Sequence, residues 1–176
     1  RLIKQRKYKM KKFNNGAIFM LTVVAIFQVL YRVAFFIVSV PSASMYPTIK
    51  IGDRIVTTRI WKKDSVERGD ILVFFSKELD EMMIKRVIGL PNDRINIDST
   101  GKLFVNGVEQ VEDYVAYADQ KSGEYVVPED GYFFLGDARD HSFDSRSWDN
   151  PYILEEQLEG KAQFIIYPFS NWKLLE

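Results

Sequence analysis

Two serines and one lysine in this chain are of the type and setting that acyl-transfer chemistry requires. Ser42 and Ser44 lie in Pro41-Ser42-Ala43-Ser44-Met45-Tyr46-Pro47-Thr48, directly after a long apolar run. A serine hydroxyl attacks a carbonyl only when a neighbouring base takes its proton. The chain has no cysteine and a single histidine, His141, so the base is a lysine, a carboxylate or that one imidazole. A lysine in water has a pKa near ~10.4 and is almost fully charged at neutral pH. Burial among apolar groups lowers it and makes the amine a usable base. Lys85 has that setting: Met82, Met83, Ile84, Val87 and Ile88 surround it, and Arg86 falls on the opposite face under the period-two alternation of a strand. Each residue also has a bland reading. A serine in a Ser/Pro turn is commonly structural, and a lysine on an edge strand simply extends into water.

Composition narrows the setting. The 176 residues are 47% apolar and 14% aromatic, enough for a packed core and against disorder. Basic and acidic residues number 24 each, but seven basic side chains and no acidic one fall in residues 1–12. The rest of the chain is therefore mildly acidic, which argues against a nucleic-acid-binding body. Without cysteine there is no thiol nucleophile, disulfide or Cys-based zinc site, and one histidine cannot build a multi-histidine metal site. No metal or cofactor is expected.

The elements that must position the serines begin at the amino terminus. Residues 13–31 are 19 uncharged positions rich in Ile, Leu, Val and Phe. As a helix they span ~28 Å, close to the hydrocarbon thickness of a bilayer. The basic cluster before them fits the positive-inside pattern, so the expectation is a basic cytoplasmic tail at residues 1–12, a transmembrane helix at 13–32 and an extracytoplasmic domain at 33–176. A buried core helix and a cleavable signal peptide are the alternatives; the run is longer than a signal h-region. Residues 33–40 are β-branched and aromatic, more strand than helix, and lead into the serine turn near the bilayer surface.

Beyond Thr48 the pattern is one of short strands and turns. Strands are expected at residues 54–60, 71–75, 82–89, 94–97, 103–105, 132–135 and 162–167, and a short helix at 153–158. Asn106-Gly107 and Pro128-Glu129-Asp130-Gly131 are turn signals. The fold expected is mostly β, an antiparallel coiled-sheet or barrel-like domain with one N-terminal transmembrane helix.

Four stretches, in order, resemble the boxes of bacterial type I signal peptidases. They are residues 42–48 (Ser-x-Ser-Met-x-Pro-Thr), Arg68-Gly69-Asp70-Ile71-Leu72-Val73-Phe74, Lys85-Arg86-Val87-Ile88-Gly89-Leu90-Pro91-Asn92-Asp93, and the box from Gly136-Asp137 to Arg146. The resemblance implies a membrane-bound serine endopeptidase that removes signal peptides from exported preproteins after small residues at −1 and −3. It implies Ser44 as nucleophile and Lys85 as general base and then acid. Ser42 would help form the oxyanion hole, and Ser142 would orient the lysine ammonium. Asp137, Arg139, Asp144 and Arg146 would hold the site by charge pairing. Val38, Val40, Met45, Met83 and Ile84 would line small apolar pockets. The implied partners are signal peptides and the lipid bilayer, with no nucleic acid, and the protein is expected to be monomeric.

Three positions depart from the family pattern. Asn92 replaces a usual glycine at a turn, and asparagine tolerates positive φ well. Ala138 and His141 stand where asparagine is common, and Ala138 brings no hydrogen-bonding side chain. Three rival readings stand beside this one: a Ser-His-Asp hydrolase built on His141 with Asp140 or Asp144, a non-catalytic membrane paralogue serving assembly such as that of pilins, and a self-cleaving repressor-type peptidase.

Overall fold

The computed structural model describes residues 2–61 and 65–175. It divides into two units, residues 1–35 and 36–176. The first is a single helix, α1 (Leu2–Ala34). Within it, Gly16–Ala34 has a mean hydropathy of 2.0 and none of its surface is buried, so it is long and apolar enough to cross a membrane. The helix starts earlier than the apolar run alone suggests and takes in the basic stretch. Lysine, arginine, glutamine and methionine are all good helix formers, so nothing in residues 2–12 stops the helix from continuing backwards. Arg1 and the side chains of residues 2–15 and 30 lie outside what is described.

The second unit is mostly antiparallel β. Its strands are β1 (Phe35–Ser39), β2 (Arg54–Arg59), β3 (Ile71–Ser76), β4 (Glu81–Gly89), β5 (Arg94–Ile97), β6 (Leu103–Val105), β7 (Val108–Glu109), β8 (Gly123–Val126), β9 (Gly131–Leu135), β10 (Tyr152–Leu154), β11 (Leu158–Tyr167) and β12 (Lys173–Leu174). The larger sheet runs β1-β2-β11-β3-β4-β9-β10, with β12 also paired to β11. The smaller runs β7-β6-β5-β8. Strand β11 serves three neighbours because it is long and irregular. Its first half pairs with β3, its second half with β12, and β2 follows its other edge through two register shifts.

The expected helix at residues 153–158 is not formed. Ile153 instead pairs with Tyr132 across β10 and β9 and is buried, and only a single 3-10 turn, Glu155–Gln157, separates β10 from β11. Glu155, Glu156 and Gln157 leave too few apolar positions for a helical stripe, and the apolar Ile153 and Leu154 before them pair into the sheet instead. The strand expected from residue 33 begins at Phe35, where the helix ends. The Asn106-Gly107 turn closes the β6–β7 hairpin with both residues at positive φ, 51° and 82°, as that tight turn needs.

Three apolar clusters fill the domain. One gathers Val40, Met45, Ile49, Ile55, Ile71, Val73 and Ile84 around the start of this domain and the β2–β11–β3 region. A second packs Leu72, Phe74, Val87, Phe134, Trp148 and Ile153 on the other face, with the Phe74 and Phe134 rings 4.5 Å apart. The third joins the small sheet to β9 through Ile88, Ile95, Leu103, Val127 and Phe133. Lys85 pairs with Leu72 across the β3–β4 ladder, next to the Ile71–Arg86 pair that begins it.

Candidate active site

The serine turn is held from beneath by its own hydrophobes. Met45 and Ile49 are buried and Ile49 N–H donates to the Met45 carbonyl at 2.8 Å, while Tyr46 N–H donates to Ala43 at 2.9 Å. This compact turn leaves Ser42 exposed and lowers Ser44 into the protein surface, where it is 8% exposed. The Ser44 carbonyl accepts from Ala138 N–H at 3.1 Å, so the turn is bonded to the segment that follows β9. Ala138 thus holds the serine through its backbone and needs no side-chain amide for that contact.

Lys85 comes from the middle of the larger sheet. Strand β4 is paired on both sides, with β3 and β9, so Lys85 is not on an edge strand. Its side chain is buried, and its Nζ lies 2.7 Å from Ser44 Oγ. Desolvation lowers the lysine pKa from its ordinary 10.5 to about 8, while the charges of Asp144 and Glu81 pull the other way. Ser42 Oγ is 3.3 Å from Ser44 Oγ. The Ser44 N–H has no acceptor among the described residues, which leaves it available to an incoming carbonyl oxygen.

Ser142 is placed differently from the expectation. Its Oγ is buried without a hydrogen-bond partner, so the bond to the lysine ammonium is not formed. The hydroxyl instead packs over Gly136: a Cβ on that glycine would lie 2.2 Å from Ser142 Oγ and 2.4 Å from the Ser44 carbonyl oxygen. Ser142 is therefore beside the serine turn, with an unused hydroxyl that a rotation of its side chain could redirect.

The four charged residues expected around the site do come together, with Arg86 as a fifth. Asp137 accepts from Arg86 Nε at 2.8 Å and Nη2 at 2.7 Å, and from Thr48 Oγ1 at 2.5 Å. Asp144 accepts from the Gly136 amide at 3.1 Å and from Arg146 Nε and Nη2 at 2.9 Å each. Arg139 donates to the Gly136 carbonyl at 3.1 Å and in two-pronged fashion to Glu112 at 2.8 and 2.5 Å. Arg86 and Thr48 carry no role in the sequence reading. A charge inside an apolar strand was the signal for Arg86, because such a residue is buried only with a partner. Glu112 lies in a polar stretch that gave no signal.

The expected pocket residues divide. Val40, Met45 and Ile84 are closed into the first apolar cluster with half-buried Val38 at its margin, whereas Met83 packs with the second cluster. They do not share one wall. Two sizeable cavities lie away from Ser44 and Lys85: one of about 590 Å³ over the smaller sheet beside Arg94, Phe104 and Tyr125, another of about 700 Å³ beside Val66, Leu90 and Tyr132. His141 is also apart in its bonding. Its side chain is 75% exposed and its Nδ1 pairs with Asp140 at 2.7 Å. No group of three or more metal-ligating side chains is found among the described residues. Asn92 takes a φ of 69°, so the turn that commonly carries glycine is kept.

The sequence profile of a family described as signal peptidase, peptidase S26, matches residues 13–167. A probable signal peptidase I-2 of Synechocystis sp. is 37% identical over 144 residues, covering 77% of this chain and 65% of that protein. The chain thus spans just under two thirds of that relative's length. Signal peptidase IB of Staphylococcus aureus is 34% identical over 176 residues, covering 87% of this chain and 90% of that protein. A crystal structure of a signal peptidase I from Enterococcus faecalis V583 superposes with a TM-score of 0.48 at 30% identity, covering 55% of this chain and 96% of that one.

Proposed function

Since the chain belongs to the signal peptidase family, peptidase S26, we propose that it is a membrane-anchored serine endopeptidase that removes signal peptides from exported preproteins after small residues at −1 and −3. The observation that carries this reading is the 2.7 Å approach of Lys85 Nζ to Ser44 Oγ, made by a buried lysine on a central strand. The neutral Lys85 amine takes the Ser44 proton as Oγ bonds to the scissile carbonyl carbon. The resulting ammonium then gives that proton to the departing amine. The acyl-enzyme is hydrolysed by a water that Lys85 deprotonates in turn. The free Ser44 N–H and the nearby Ser42 hydroxyl take the oxyanion, the kind of preorganised pair that stabilises such a charge by several kcal/mol.

Ser142 joins the site by rotating its unpartnered hydroxyl toward the ammonium once Lys85 is charged. Asp137, Arg139, Asp144 and Arg146 keep the serine turn and the lysine strand in register. Half-buried Val38, packed on the cluster that encloses Met45 and Ile84, offers apolar surface to the small side chains of the substrate. Gly16–Ala34 is the anchor, with the amino terminus on the cytoplasmic side, and no cofactor takes part.

Preprotein cleavage by the full chain in detergent micelles tests the assignment. Ser44→Ala and Lys85→Ala should each abolish processing, and His141→Ala should leave it near the parental rate. Processing that survives Ser44→Ala, or that fails only in His141→Ala, sinks the dyad.

A further inference from the structure

Three arginine side chains are almost wholly buried in this domain: Arg86, Arg139 and Arg146 are 4%, 5% and 2% exposed. A guanidinium out of water costs several kcal/mol unless opposing charge and acceptors surround it. Each of the three meets this need in two directions. On the side of the dyad, Arg86 holds Asp137, Arg139 holds the Gly136 carbonyl, and Arg146 holds Asp144. On the other side all three turn to one loop, residues 112–119. The Arg86 guanidinium lies 3.9 Å from the centroid of the Tyr114 ring. Arg139 takes both Glu112 oxygens, and Arg146 Nη1 reaches Asp119 at 3.0 Å.

The inner partners are the groups that frame Ser44. Asp137 receives Thr48 of the serine turn, Asp144 receives the Gly136 amide, and Ala138 N–H holds the Ser44 carbonyl. The loop itself touches the same frame twice more. Tyr117 forms an isolated backbone bridge with Ala138, and its ring stands 6.1 Å from that of Tyr46, two residues beyond Ser44. Within the loop Asp113, Ala116, Tyr117 and Ala118 are exposed, while Glu112, Tyr114, Val115 and Asp119 are half-buried.

We propose that residues 112–119 are a strap that fixes the Ser44–Lys85 geometry through the three buried arginines, with Glu112 as its principal positioning residue. This rests on the dyad reading above. Glu112 stands out because each of its oxygens is engaged by Arg139 and one also accepts from Tyr114 Oη at 2.7 Å. Without it, Arg139 keeps only the Gly136 carbonyl as a hydrogen-bond partner among the described residues, and a buried guanidinium seeking water pulls on the residue packed against Ser44 and Ser142. Glu112 touches no reacting atom, so its loss acts on the chemical step through geometry.

The test uses the full chain in detergent micelles and a synthetic peptide spanning a cleavage site with alanine at −1 and −3. Glu112→Ala should lower kcat about tenfold with KM changed by no more than about twofold, the effect of a small misplacement of reacting groups. Glu112→Gln, which keeps the shape and loses the charge, should fall between that variant and the parent. It carries the measurement if the alanine variant does not fold. Glu112→Ala combined with Asp119→Ala should be no slower than the worse single variant, because both act through one loop. Val111→Ala, at an exposed position just before the loop, should match the parent. An unchanged kcat per folded molecule, a loss confined to KM, or fully multiplicative losses in the double variant overturns the strap. Ser44→Ala in the same assay separates the two levels: if it is inactive while the Glu112 variants keep full kcat, only the strap fails, and if it is active the dyad fails first.

Discussion

The Thr48 hydroxyl donates to Asp137 at 2.5 Å, and the same carboxylate takes two bonds from Arg86, the residue after Lys85. One buried side chain therefore ties the turn carrying Ser44 to the strand carrying Lys85. The two ends of the dyad are 41 residues apart in sequence, and the chain between them includes β2 and β3. Packing alone would allow small slips between turn and sheet. A carboxylate with bidentate and hydroxyl partners has directional bonds, and those resist such slips.

Asp137→Ala should be among the more damaging substitutions away from the dyad itself. It leaves the Arg86 guanidinium buried beside the site without its carboxylate, a change that typically costs ~3–5 kcal/mol. Thr48→Val removes one bond to a charged acceptor and keeps the ion pair, so its cost should be nearer ~1.5–3 kcal/mol. Denaturant unfolding of both variants checks the order. Equal stabilities would mean that Asp137 does not bear the Arg86 charge.

Proton release by Lys85 sets the expected pH profile. With its pKa lowered to about 8 by burial, about a tenth of the lysine is neutral at pH 7, far more than at its ordinary 10.5. In the proposed mechanism the neutral amine is the base, so kcat/KM should rise with pH through about 8 and level off above it. Stability shifts in the same direction. The fold disfavours the charged lysine, so the penalty is fully present below about pH 8 and fades as pH rises from there towards 10.5. A rate profile flat between pH 6 and 9 (about the span in which the amine titrates) would count against Lys85 as base.

The sequence was most informative where local pattern and burial coincide. The continuous apolar character of residues 71–75 placed β3, the apolar residues on either side of Lys85 and Arg86 placed β4, and the alternation around Lys85 put Arg86 on the opposite face. Short edge pieces such as β7, β10 and β12 were not legible, because two or three residues carry no period and form only against a partner strand. The same holds for the charge network. Asp137, Arg139, Asp144 and Arg146 stood in a recognisable box, whereas Glu112 and Asp119 lie in a stretch whose polar composition reads as ordinary surface. Their importance comes from which arginines they meet, a long-range pairing that no local window encodes. Ser142 marks a different limit. Its position beside the serine turn follows from the box, but the direction of a hydroxyl depends on a torsion the sequence does not specify.

Gly136→Ala should abolish activity even where the fold survives. A Cβ there would come within 2.4 Å of the Ser44 carbonyl oxygen and 2.2 Å of Ser142 Oγ, with Ser142 Cβ at 2.5 Å. Ser142 could turn its hydroxyl away, so a clash with that atom alone would be mild. The Ser44 carbonyl cannot move without its own turn, and it is also the acceptor for Ala138 N–H. Relief must therefore come from moving Ser44 or breaking that bond. Either separates Ser44 Oγ from Lys85 Nζ, and a displacement of 1 Å in such a pair can cost about 100-fold in rate. Gly52→Ala is the matched control: its φ of 86° strains a side chain by ~1 kcal/mol or somewhat more, but a Cβ there meets nothing within 4 Å. Peptide cleavage by the two variants, normalised to folded protein, should show Gly52→Ala close to the parent and Gly136→Ala at background. Adding Ser142→Ala to Gly136→Ala should not restore the rate, since the backbone clash remains. Restoration would show that the glycine serves Ser142 rather than Ser44.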